Sequence, residues 1–267
     1  MRADRGALVR LGIRVRRERA EVALAALLPL LHAGAEETEP APGEVEYATY
    51  APRAELPSER DIRGLAGDAV LDVALTDVPP GWETRWHEYL RPVDVGGLRV
   101  RPPWLDGEEG DLVIDPGALF GAGTHPTTQL CLELLLDAEP DGALCDWGAG
   151  TGVLAVAAAR LGWAPVTAVE VMPDGLEAIR ANAAGNGVEV RAVWSNLAET
   201  PAPWAPTVVA NLPLELLLNV AVERPPERLF AAGFLAGRAD EVAPAYGMAE
   251  VERRVLGEWA AVVLERA

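Results

Sequence analysis

The stretch Asp146-Trp147-Gly148-Ala149-Gly150-Thr151-Gly152 constrains the fold most, because it joins the apolar strand-like segment 144–147 to the apolar helical segment 153–161. Glycines directly after a strand let the backbone turn sharply and let a ligand approach the main chain. The Asp146 carboxylate, at the strand end, is placed to orient loop amides or to accept from a ligand amine. Glu170 follows eighteen residues after Gly152, at the end of the next apolar strand, 166–171. A carboxylate there can accept two hydrogen bonds from ribose hydroxyls.

Two ligands compete for such a loop. A nicotinamide dinucleotide is read by G-x-G-x-x-G, with the helix start receiving the pyrophosphate. Here the third glycine comes one position early and an aspartate precedes the loop. A nucleoside-type methyl donor without phosphate, S-adenosylmethionine, fits this spacing better. Its binding residues would be Asp146, Gly148, Gly150, Gly152 and Glu170.

From residue 112 onward strands and helices alternate. Segments 112–114, 144–147, 166–171, 188–194 and 207–210 read as strands, and 128–136, 153–161 and 174–186 as helices. That is a doubly wound, Rossmann-like α/β layout with a mostly parallel sheet. Segments 251–256 and 259–264 flank Gly257-Glu258 and must pair as an antiparallel hairpin.

The first 78 residues form a different unit. Leu11, Ile13 and Val15 alternate as a strand; Leu24, Leu27, Leu28 and Leu31 recur as a helical stripe ended by Gly34. Val45, Tyr47 and Thr49 mark another strand, Ser58 caps a helix to Leu65, and 70–75 is a last strand; 36–39 is a weaker strand. The order β-α-(β)-β-α-β predicts a small ferredoxin-like α+β domain over 1–78. Trp82, Trp86, Tyr89 and Leu90 fall at helical spacing, so a linker helix is expected over 79–92, followed by the ligand-binding domain over 93–267.

Asn211 ends the strand 207–210, where strand ends face the ligand crevice. Its carboxamide can accept from an amine and aim the nitrogen lone pair at a methyl carbon, which makes Asn211 the candidate catalytic residue. A turn-forming Asn before a proline bend is the plainer explanation. Thr124 is placed to cap the helix that follows it, and His125, a lone histidine, reads as structural.

Composition narrows the class. Half of the 267 residues are hydrophobic and 24% are charged, a globular balance. The net charge of −18 repels phosphate backbones and attracts a basic protein partner, so nucleic acid is not expected as a direct ligand. Arg16 to Ala35 mimics a signal peptide, but Glu21 interrupts its apolar part and a strand precedes it. No membrane association is expected, and two cysteines in apolar runs suit a reducing cytoplasm. Histidines at 32, 87 and 125 offer no metal cluster.

Asp115-Pro116-Gly117-Ala118-Leu119-Phe120-Gly121-Ala122-Gly123-Thr124-His125-Pro126-Thr127-Thr128 closely resembles the signature of the bacterial ribosomal protein L-eleven methyltransferases, the PrmA type. Residues 82–92, 208–216 and the tail from Gly233 through Trp259 look like the same family. The resemblance implies a class I methyltransferase fold behind an N-terminal substrate-recognition domain, acting on lysine ε-amino groups and the N-terminal amine of ribosomal protein L-eleven; a monomer is expected. It places donor contacts on Thr128, Gly148, Glu170 and Asn211; Thr128 comes from the resemblance alone. The family usually has Thr at Ala122 and Asp at Glu170, and Pro225-Pro226 stands where it has a Pro-Gly-Gly turn. The rival functions are methylation of another protein or a small-molecule amine, and a non-catalytic ribosome-binding module.

Overall fold

The computed structural model describes residues 8–27, 30, 36–78, 90–117, 119, 121 and 123–266. They divide into two compact units, with the division between Tyr89 and Leu90.

The first unit contains β1 (Leu8–Arg16), α1 (Ala20–Leu27), β2 (Glu36–Thr38), β3 (Glu44–Pro52), α2 (Glu59–Ala66) and β4 (Val70–Asp77). The sheet order is β2-β3-β1-β4 and every pairing is antiparallel, which is the expected ferredoxin-like topology. The alternation read at Leu11, Ile13 and Val15 turns those side chains into a core with Tyr47, Ile62 and Leu27. The other face carries charge pairs, Arg10 with Glu46 and Arg14 with Asp72 at 2.6 Å. Ser58 caps α2 as expected, accepting from the Asp61 amide at 3.3 Å. Leu28, Leu31 and Gly34, and the 79–89 part of the expected linker helix, lie outside the described residues; 90–92 are irregular.

The second unit opens with a small sheet, β5 (Val93–Val95), β6 (Leu98–Arg101) and β7 (Leu112–Val113), then α3 (Pro126–Asp137). Next come β8 (Leu144–Trp147), α4 (Val153–Leu161), β9 (Val166–Glu170), α5 (Pro173–Gly185), β10 (Arg191–Trp194), β11 (Thr207–Asn211) and α6 (Leu214–Asn219). β12 (Arg228–Leu235), α7 (Val242–Tyr246), β13 (Ala249–Leu256) and β14 (Trp259–Glu265) complete it. The seven-stranded sheet runs β10-β9-β8-β11-β12-β14-β13. β8 to β12 are mutually parallel, and β14 is antiparallel to both its neighbours. One apolar layer holds Leu130, Val153 and Ile179, the other Trp147, Leu217 and Tyr246. Such double coverage is why the parallel strands read as continuous apolar runs. The chain progresses outward in opposite directions from β8 and β11, so the ligand crevice lies at their carboxyl ends.

Three expectations shift. The strand foreseen over 188–194 begins at Arg191, because the Val188 amide donates back to Ala183 O at 3.1 Å and belongs to the end of α5. β12 was not foreseen: buried on both faces, it does not alternate, and Gly233 interrupts its apolar run. The cap of α3 is His125, not Thr124, because Pro126 already occupies the first helical position.

Among the described residues no helix is long and apolar enough to cross a membrane. Cys131 and Cys145 are buried and unpaired.

Candidate functional site

The glycine loop leaves β8 through Gly148 (φ +71°) and enters α4 through Gly152 (φ +81°), both in the left-handed region that favours glycine. Close approach reinforces the choice. A Cβ on Gly148 would lie 2.3 Å from Leu212 Cδ2, and one on Gly152 3.0 Å from Ile179 Cγ1. Gly148 and Gly150 line a cavity, whereas Gly152 serves the packing of α4 on α5.

The two carboxylates have separate tasks. Asp146 is 1% exposed and stands behind the loop, where Oδ2 accepts from the Ala155 amide at 3.0 Å. Burial pushes its pKa up to about 7, opposed by the Ala155 bond and reinforced by the charge of Glu170. Glu170 lines the cavity. Its Oε2 accepts from Gly150 N at 2.8 Å, and Oε1 from Val171 N at 2.7 Å and Met172 N at 2.9 Å. A carboxylate has about four acceptor sites, so beside these three amides it can still serve one ribose hydroxyl.

Asn211 closes β11 and also lines the cavity. Its Nδ2 donates to Thr128 Oγ1 at 3.2 Å, and Thr128 is 1% exposed on the first turn of α3. Behind Asn211, Leu212 donates its amide to Ala232 O at 3.0 Å and passes over Gly233. A Cβ on Gly233 (φ +105°) would fall 2.1 Å from Leu212 O, so glycine is obligatory there. His125 Nδ1 lies 2.7 Å from Thr127 Oγ1, and its ring meets Trp259 edge-on at 4.9 Å. Desolvation lowers the His125 pKa, which keeps the ring neutral near pH 7.

The Asp115–Thr128 string runs from the end of β7 to this turn; its Ala118, Phe120 and Ala122 lie outside the described residues. Two contacts tie the string to the glycine loop. Thr151 Oγ1 donates to Gly121 O at 2.8 Å. Asn182, buried on α5, donates to Asp115 O at 3.0 Å and Thr151 O at 2.9 Å, and accepts from Asp115 N at 2.8 Å.

These groups converge on one cavity of about 640 Å³. Gly148, Gly150, Glu170, Val171 and Met172 line one part, Ser195, Asn196 and Leu197 another, and Asn211, Leu212, Pro213, Gly233, His125 and Trp259 are also among the lining residues. Sequence reasoning missed Ser195 to Leu197, Gly233 and Trp259. The available signal for the first three was their place after a parallel strand, where the crevice rule applies. The cavity fits S-adenosylmethionine: bare backbone at Gly148 and Gly150, a carboxylate for a ribose, apolar Val171, Met172 and Leu197 for a purine, and an amide oxygen at the far end.

The family model described as "Ribosomal protein L11 methyltransferase (PrmA)" matches residues 71–267. The chain belongs to the PrmA family. It is 43% identical over 197 residues to the ribosomal protein L11 methyltransferase of Pelotomaculum thermopropionicum, covering 68% of this chain and 64% of that one. It is 34% identical over 228 residues to that of Symbiobacterium thermophilum, covering 76% and 75%. The chain thus spans slightly under two thirds of the first of these relatives. The ribosomal protein L11 methylase of Lactobacillus delbrueckii subsp. bulgaricus shares the fold, with a TM-score of 0.58 at 24% identity, covering 66% of this chain and 99% of that one. In this PrmA chain the resembling string and the glycine loop both fall inside the matched range.

Proposed function

We propose that this chain transfers methyl groups from S-adenosylmethionine to lysine ε-amino groups and the N-terminal amine of ribosomal protein L11, in the cytoplasm. The observation that carries the reading is one cavity, in a PrmA family member, lined by the glycine loop, Glu170 and Asn211. When bound, S-adenosylmethionine supplies an electrophilic methyl group on a cationic sulfur. Glu170 accepts from a ribose hydroxyl, and the bare backbone at Gly148 and Gly150 lets the donor lie against the loop. Asn211 Oδ1 accepts from the incoming amine and sets its lone pair toward the methyl carbon. Leu212, Pro213 and Trp259 exclude water, which favours the neutral amine and aligns the reactants. The surplus proton of the methylated amine leaves to water. The net charge of −18 complements a basic protein substrate.

The family match begins within β4, so an amine on another protein or small molecule is the second reading. A competition assay separates them. Purified L11, other ribosomal proteins and free lysine are offered together with methyl-labelled donor. Label concentrated on L11 supports the proposal; label on another acceptor, or none, contradicts it.

A further inference from the structure

Gly175, the third residue of α5, is buried and not in the left-handed region. Within a helix glycine is less favourable than alanine, so its backbone gives no reason for glycine here. The reason lies in one side chain. A Cβ on Gly175 would sit 2.5 Å from Glu170 Cγ and 3.2 Å from Glu170 Cδ. That methylene cannot step aside cheaply, because the carboxylate beyond it is pinned by the Gly150, Val171 and Met172 amides.

We propose that Gly175 is a positioning residue for the donor site. Its missing side chain makes room for the Cγ methylene of Glu170, so the two positions act as a pair that seats the carboxylate on the Gly150 amide. The pair matters to catalysis only through donor binding, and to that extent the inference rests on the proposed function.

The test compares wild type, Gly175→Ala, Glu170→Ala and the double variant in the full chain. S-adenosylmethionine affinity is read by calorimetry and exchange of the Gly150 amide by NMR. Gly175→Ala should weaken binding about tenfold or more, the scale of one lost charge-assisted hydrogen bond, and should speed Gly150 exchange. The double variant should match Glu170→Ala alone in both readouts, because the clashing methylene is gone. A purely structural glycine would add its own cost to Glu170→Ala. Unchanged binding and exchange in Gly175→Ala, or a double variant worse than Glu170→Ala alone, overturns the pairing. If Gly175→Ala does not fold, rescue of folding in the double variant supports the pairing and failure of rescue overturns it. If wild type binds no donor, the proposed function falls, while Gly150 exchange still decides the pairing.

Discussion

Asn211 gives its amide nitrogen to Thr128 Oγ1 at 3.2 Å, which leaves its oxygen as the acceptor at the end of the cavity. Thr128, 1% exposed, acts through Asn211 in this arrangement. Thr128→Val keeps the shape and removes the acceptor. Turnover should fall about five- to tenfold, the value of one hydrogen bond of ~1 kcal/mol, while donor affinity stays close to wild type. Thr128→Ser should restore turnover. A parallel loss of donor affinity in Thr128→Val would mean that Thr128 touches the donor directly.

Asn211→Ala removes the group that holds the amine. Steady-state rates should drop on the order of a hundredfold, as for the loss of one preorganised hydrogen-bonding group in an active site. Calorimetric donor affinity should change little. Unaltered turnover would remove Asn211 from the mechanism.

Asp146 titrates within the accessible range. Its folded pKa of about 7 lies above the ordinary 3.8 because burial disfavours the charge. A raised folded pKa means that the folded state holds a proton the unfolded state has lost, between pH 3.8 and about 7. Stability from this group is therefore present at low pH and is lost as pH rises through about 7. Asp146→Asn, which cannot ionise, should match wild type in thermal melts near pH 4. It should exceed wild type increasingly toward pH 8, by at most roughly 4 kcal/mol. A difference that does not depend on pH would contradict the buried, neutral acid.

Asn182 makes three hydrogen bonds to backbone groups of Asp115 and Thr151 while 4% exposed. Asn182→Ala strands those groups, at a cost of about 2–3 kcal/mol, and loosens the string from the loop. Asn182→Asp should cost more, since a carboxylate would face two carbonyl oxygens. Chemical denaturation measures both; a neutral Asn182→Ala would show that the ties are dispensable.

Local rules disclosed what depends on neighbours in sequence. The glycine loop, Glu170, Asn211, the 257–258 hairpin turn and the Ser58 cap all sit where strand, turn and cap chemistry place them. What stayed hidden depends on tertiary placement. Gly233 is required because Leu212 passes 2.1 Å from where its Cβ would be, a contact between β12 and the end of β11 that no local pattern carries. Ser195 to Leu197 and Trp259 join the cavity only because β10 and β14 end or begin beside it. Asp146 had two roles open in the sequence, orienting backbone amides or meeting a ligand amine; in the fold its Oδ2 accepts from the Ala155 amide.

The most direct measurement is the intact mass, with peptide mapping, of L11 incubated with labelled S-adenosylmethionine and either wild type or Asn211→Ala. The account predicts methyl increments on lysine and N-terminal amines with wild type and nearly none with Asn211→Ala. An L11 mass unchanged by a wild-type enzyme that binds the donor would contradict it.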